Sequence, residues 1–464
     1  MTDLARPTEA NGPRWPALIP IVMIALPLAL RLAGVPLNNA WIIFSLLIGL
    51  MLTGMPISIS LGLTVLTYLF TMTTVPIQSV ALKLFTGIER FEIMAIPFFI
   101  LAGNFLTHGG VARRMITFAT SMVGHWHGGL GLAGVMACAL FAAVSGSSPA
   151  TVVAIGSILL PAMIKQGFPA RFGAGVITSA GALGILIPPS IVMVMYAVAT
   201  NTSVGALFIA GIVPGLILAT MLGFTTWWRA RKFGYPRQPA AGWRERWSAF
   251  RDAIWGLLLI IVVIGGIYSG IFTPTEAAAM SAVYAFFVAV FVYKDMGLKQ
   301  VPKVLLDSAN MSAMLLYIIT NAVMFSYLMT SENIPHELAS WIIDKELGAI
   351  GFLLFVNILL LVAGCLMEPS SIVLILAPIL FPVAIKLGID PVHFGIMMVV
   401  NMEVGMLTPP VGLNLYVASG ITRMGITELT IAVWPWLLTM LVFLGFVTYW
   451  PMMSIWLPKM LGMM

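Results

Sequence analysis

Val144-Ser145-Gly146-Ser147-Ser148-Pro149-Ala150-Thr151 is the stretch on which the reading of the whole chain turns. Four hydroxyl side chains, one glycine and one proline stand between two apolar arms, Leu130 to Ala143 and Val152 to Ile164. Each arm falls short of the roughly 20 apolar residues that a membrane-spanning helix needs. Two short arms around a polar tip read as a re-entrant helical hairpin. Irregular backbone at membrane depth is tolerated only where protein buries it or where it lines a cavity. The tip is therefore expected at a site.

Composition supports a bilayer protein. Of 464 residues, 60% are hydrophobic and only 9% charged, and the mean hydropathy is +1.03. The pattern is helical; a membrane β-barrel would alternate in segments of about ten residues. The net charge of +6 comes from loops and not from a nucleic-acid surface. Cys138 and Cys365 both lie in apolar stretches and read as small core residues. The first apolar run lacks a small-residue cleavage site and is read as a retained span.

Apolar runs at 17–34, 38–54, 56–74 and 92–110 read as four spans, followed by the hairpin, 130–166. A long segment, 172–201, is interrupted at Gly184-Ile185-Leu186-Ile187-Pro188-Pro189-Ser190, and a span at 204–228 closes the half. Residues 229–252 differ in kind, with seven arginines and lysines, and Trp227, Trp228, Trp243 and Trp247 flank or punctuate the run. They read as a cytoplasmic linker at the membrane surface, with Trp at headgroup depth. Spans resume at 253–271, 275–294 and 309–329. A second hairpin, 350–386, has its tip at Glu368-Pro369-Ser370-Ser371. A second broken span, 392–421, holds Gly405 to Asn414, and a last span covers 428–449. About eleven spans plus two hairpins put the N-terminus in the cytoplasm and the C-terminus in the periplasm. Seventeen of the 23 lysines and arginines then fall inside, the bias expected of cytoplasmic loops.

The two halves repeat. One offset of 221 pairs Pro161 with Pro382, Lys165 with Lys386, Gly167 with Gly388, Gly184 with Gly405, Pro188-Pro189 with Pro409-Pro410, and Pro214 with Pro435. Ser147-Ser148-Pro149 falls over Glu368-Pro369-Ser370. An odd number of spans separates the hairpins, so they enter from opposite faces. Inverted repeats of this kind place substrate and ion sites near the midplane, where interrupted helices meet. Repeat 1 is 38–228 and repeat 2 is 253–464, preceded by an N-terminal tail and span at 1–37.

The bland alternatives are definite. Ser145–Thr151 also fits a small-residue packing motif, and the broken spans also fit simple proline kinks. A tandem Pro-Pro does more, because neither residue has an N–H and each leaves carbonyls of the preceding turn unpaired. Freed carbonyls with Ser, Thr and Asn oxygens suit a hard cation such as Na⁺. Anionic groups are drawn instead to half-helix N-termini. Glu276 reads as a first-turn acid with Thr273 or Thr275 as cap. Glu403 has two open readings, orienting the broken backbone or binding a proton or ion. His125 and His127 fit hairpin structure better than metal binding. No Gly-x-Ser-x-Gly elbow and no Gly-x-x-x-x-Gly-Lys loop occurs, which argues against an enzyme and against direct ATP drive.

Ser145 to Thr151, Ile187-Pro188-Pro189-Ser190, Phe272-Thr273-Pro274-Thr275-Glu276, Met367-Glu368-Pro369, Gly388-Ile389-Asp390-Pro391 and Thr408-Pro409-Pro410-Val411-Gly412-Leu413-Asn414 resemble the DctM-type large membrane subunit of TRAP transporters. The resemblance covers nearly the whole chain after residue 38. It implies an all-α, elevator-type, sodium-coupled importer of organic acids, of the ion transporter superfamily, in the bacterial inner membrane. It implies a separate four-helix small subunit and a periplasmic substrate-binding protein as partners, no cofactor beyond Na⁺ as coupling ion, and no nucleic acid. By the same resemblance Ser145, Gly146, Ser147 and Ser148 with Gly184, Ile187 and Pro188 frame one sodium ion. Glu368 with Gly405, Thr408, Pro409 and Asn414 frames another, and Ser147, Asn401, Thr408 and Asn414 are candidates for substrate contact. A non-transporting scaffold subunit, a channel and a proton-coupled carboxylate transporter are the rival readings.

Overall fold

The computed structural model describes residues 18–73, 75–345 and 348–463. The expected N-terminal tail, with Arg6 and Arg14, lies outside them. Among the described residues the fold is helical, and eight helices are long and apolar enough to cross a membrane.

The first hairpin forms where its sequence demands a turn. Helix Gly129–Ser145 ends at Gly146, whose φ of 60° lies in the left-handed region and whose N–H reaches the Ala142 carbonyl at 3.1 Å. Only glycine takes this conformation without strain. Ser147 is extended, and Pro149 sits in the first turn of Ser148–Lys165, where its missing N–H costs nothing. The second hairpin repeats the plan with Gly348–Gly364 and Pro369–Lys386, Glu368 standing in the N-cap position. Ser148–Lys165 and Pro369–Lys386 are each 18 residues, about 27 Å at 1.5 Å per residue. The second arms are therefore longer than the apolar runs suggest, because Ser, Thr and Pro at the tips are helical.

Both interrupted spans are broken. Ala170–Gly181 tightens into the single 3₁₀ turn Ala182–Ile185, and the helix restarts as Ile191–Thr200. Ser190 closes the gap from both sides. Its hydroxyl donates to the Ile185 carbonyl at 2.6 Å and accepts from the Met193 N–H at 3.3 Å. Pro391–Gly405 and Leu413–Thr422 are the counterparts. The Pro188–Pro189 and Pro409–Pro410 bonds are both cis. The two repeats then cross. Ile191–Thr200 packs on Pro369–Lys386 of the second hairpin, and Leu413–Thr422 packs on Ser148–Lys165 of the first. The closing helices cross as well, Ile426–Tyr449 onto Ala170–Gly181 and Val204–Phe233 onto Pro391–Gly405.

Hydropathy does not reveal the short amphipathic helices that precede each hairpin, Val111–Val123 and Ile334–Asp344. Val111, Ala112, Met115, Ile116 and Ala119 make one buried stripe at helical spacing, with Arg113, Arg114 and Thr117 off it. Each arm is tied to the other repeat. Arg113 and Arg114 both meet Asp295, while Glu337 accepts from Asn38 Nδ2 at 3.3 Å. Thr273 and Glu276 form a capping box, Thr273 being the cap.

The basic linker is shorter than its composition suggests. Val204–Phe233 runs through Arg229, Arg231 and Lys232, and a new helix starts at Trp243. Arg, Lys and Ala favour helix, so the helix outlasts the apolar run. Lys232 lies over the Trp228 ring at 5.5 Å and Arg231 over Trp227 at 5.4 Å. The irregular part is anchored by the Gln238 N–H on the Gly124 carbonyl at 3.1 Å. Ala240 is exposed. A cysteine at Ala240 is expected to react with a membrane-impermeant maleimide in inverted vesicles and not in intact cells; labelling in intact cells would reverse the topology.

Candidate functional site

The two hairpin tips meet in one cavity of about 400 Å³. Gly146 to Ala150 of the first tip and Glu368 to Ser370 of the second line it, with Ile185 and Ile191 beside the first break and Met406 and Leu413 beside the second. Four helices begin at or next to this cavity: Ser148–Lys165, Pro369–Lys386, Ile191–Thr200 and Leu413–Thr422. Their unpaired N–H groups and dipoles favour negative charge. Glu368 is the one charged residue among the described lining, and it accepts from the Ser371 hydroxyl at 3.0 Å.

The first tip is held by its own hydroxyls. Ser145 Oγ and Thr151 Oγ1 lie 2.8 Å apart, and Thr151 donates to the Ser147 carbonyl at 2.9 Å. Gly184 packs on the same carbonyl: a Cβ there would lie 2.6 Å from Ser147 O and 2.8 Å from Ser148 Cα. The second repeat makes its own close approach, with Gly405 against Gly364.

Of the first group of candidate sodium residues, Ser145, Gly146, Ser147, Ser148 and Gly184 come together. Ile187 and Pro188 face the other way, into an apolar cleft beside Leu216 and Ile264. In the second group Glu368 lines the cavity, Gly405 packs on the second hairpin, Thr408 donates to the Val404 carbonyl at 2.8 Å, and Pro409 is exposed. Asn414 crosses to the first group, its Nδ2 donating to Ser148 Oγ at 2.7 Å. Asn414 Oδ1 is buried without a hydrogen-bond partner among the described residues, which leaves an oxygen to offer a cation.

Among the candidates for substrate contact, only Ser147 lines the cavity. Asn401 is fully buried elsewhere, donating to the Asn357 carbonyl at 3.0 Å and to Asn357 Oδ1 at 2.8 Å. Asn357 in turn donates to Thr448 Oγ1 at 3.0 Å, so this network ties three helices. The cavity also has walls that sequence reading missed: Asn104 and Thr107 on one side, Met311, Met314 and Leu315 on the long helix Val301–Ser331. Asn104 donates to the Ser308 hydroxyl at 2.8 Å. An asparagine inside an apolar span was the available signal.

Residues 44–453 match the family described as tripartite ATP-independent periplasmic transporter, DctM component. The chain belongs to that family. It is 76% identical to a C4-dicarboxylate TRAP transporter large permease protein DctM of Rhodobacter capsulatus, across 92% of this chain and 100% of that one. A protein of the same description from Pseudomonas aeruginosa is 55% identical, with 87% of this chain and 95% of that one covered. The YdaH transporter of Alcanivorax borkumensis shares the fold at a TM-score of 0.58 and 16% identity, covering 83% of this chain and 88% of that one. As a DctM component the chain is a transporter subunit and not an enzyme.

The close contact at Gly184 has a test. Gly184→Ala puts a methyl against the Ser147 carbonyl, an overpacking of about 1–3 kcal/mol. Uptake in proteoliposomes is expected to fall at least about tenfold while the protein still inserts and purifies, since the clash lies at the tip and not in the helical core; full uptake by this variant would separate the tip from the break.

Proposed function

We propose that this chain is the permease subunit that imports C4-dicarboxylates in symport with sodium, by an elevator movement of the hairpins and broken helices. The observation that carries the reading is the single cavity on which both tips open. The relatives at 76% and 55% identity are described as C4-dicarboxylate permeases, which favours that substrate class over other organic acids. No described lining residue is Lys, Arg or His, so half-helix N-termini are the groups offered to the two carboxylates. Glu368 opposes a dianion. A cation between Glu368 and the substrate relieves that repulsion and couples the two.

Sodium suits these oxygens, because hard cations take carbonyl, hydroxyl and carboxylate ligands. The first pocket offers Ser145, Gly146, Ser147, Ser148 and Gly184, joined by Asn414 Oδ1. The second offers Glu368, Gly405 and Thr408. Proton coupling is the second reading, favoured by Glu403, whose two carboxyl oxygens are buried without a partner among the described residues. The small membrane subunit and the periplasmic binding protein are the partners, in a bacterial inner membrane, with the N-terminus inside and the C-terminus outside.

Ser148→Ala removes one hydroxyl and leaves the backbone oxygens. The sodium concentration for half-maximal uptake is expected to rise about fivefold, the equivalent of about 1 kcal/mol for one lost polar contact. Thr408→Val is expected to act likewise at the second pocket. Uptake is measured against sodium at fixed pH and membrane potential, with the binding protein present. Equal uptake driven by a proton gradient without sodium would overturn sodium coupling; unchanged sodium dependence in both variants would place the ligands elsewhere.

A further inference from the structure

A second cavity, of about 670 Å³, lies away from the hairpin tips, where three elements meet. Its walls include Arg113 and Arg114 of the arm Val111–Val123, Arg251, Asp252 and Trp255 of the helix Trp243–Ile260, and Tyr293. The walls are braced. The Tyr293 hydroxyl donates to the Asp252 carbonyl at 2.7 Å, and the Arg114 guanidinium lies 3.7 Å from the centre of the Tyr293 ring. Arg114 also donates to the Gly110 carbonyl at 3.0 Å and pairs with Asp295. The π-helical turn Val288–Val292 directly precedes Tyr293, the kind of irregular turn that often marks a functional site.

The charge is unbalanced. Three guanidiniums stand against Asp252 and Asp295. Asp295 is shared by Arg113 and Arg114, and each guanidinium has five donors. Arg113 is 62% exposed at its side chain, and Arg251 is exposed and forms no ion pair among the described residues. The rim is apolar as well: Trp255 and Val292 line the cavity and are both 42% exposed. A ligand that satisfies both needs an anionic head and an apolar tail. Basic pockets between membrane helices on the cytoplasmic side suit lipid headgroups.

We propose that this cavity binds the phosphodiester headgroup of an anionic phospholipid between Arg113, Arg114 and Arg251, with the acyl chains leaving along Trp255 and Val292. The lipid would join the arm that leads into the first hairpin to two neighbouring helices. The cavity contributes nothing to the tip site, so the proposal stands apart from the transport reading.

The full chain, purified in detergent, is offered an equal mixture of phosphatidylglycerol and phosphatidylcholine, and retained lipid is counted by native mass spectrometry. A preference for phosphatidylglycerol on the order of tenfold is expected from two added arginine contacts. Arg113→Gln with Arg251→Gln should erase the preference, and Arg113→Lys with Arg251→Lys should keep part of it. Thermal unfolding separates the sources: phosphatidylglycerol raises the unfolding temperature, whereas inorganic phosphate and glycerol 3-phosphate do not. Equal retention of both lipids by the unaltered chain would overturn the proposal, and so would a stabilisation that inorganic phosphate reproduces. Loss of the bound lipid on co-purification with the small membrane subunit would assign the cavity to that subunit and overturn it too.

Discussion

Backbone that leaves a helix inside a bilayer must find its partners within the protein. Most of this structure answers that constraint at two tips and two breaks. Gly184 lets the first break lie against the Ser147 carbonyl, and Gly364 and Gly405 let the second hairpin reach its own break. Ser190 covers one gap with donor and acceptor together. Asn414 then ties the second break to the first tip through Ser148. Polar groups that would be costly apart meet here, and their meeting creates a cavity lined with helix N-termini.

The repeat also explains why neither half stands alone. Each restarted half-helix packs on the hairpin of the other repeat, and each closing helix packs on the other repeat's broken span. Symmetry in sequence does not carry into equal exposure. Pro188, Pro189 and Ser190 are buried, while Pro409, Pro410 and Val411 are exposed. The two breaks therefore occupy different surroundings.

Much of this was legible in the chain itself. Proline pairs, the tip hydroxyls and the 221-residue offset located both hairpins and both breaks, because bilayer physics leaves few other uses for such residues. The arms Val111–Val123 and Ile334–Asp344 escaped, since a half-apolar helix averages out in a hydropathy window. Asn401 was misleading: it stands four positions before Gly405, yet it lies apart from the tip cavity, its Nδ2 donating to Asn357 while its Oδ1 is buried without a partner among the described residues. Asn104 and Thr107 were overlooked for the opposite reason, lying within an apolar span with no break near them. Contacts between helices distant in sequence, such as Asn414 to Ser148, have no local signature at all.

The proposed elevator movement requires that the hairpins and broken helices move as one body against the remaining helices. Spin labels at Gln166, below the first hairpin, and at Arg423, after the second broken span, test the body itself, and a label at Lys299 marks the rest; all three positions are exposed. Pulsed distance measurements in liposomes, with and without sodium and dicarboxylate, should give one unchanged Gln166–Arg423 distance and two populations for Gln166–Lys299 whose balance shifts with the ligands. A Gln166–Lys299 distance that stays single and constant in protein that transports would contradict the account.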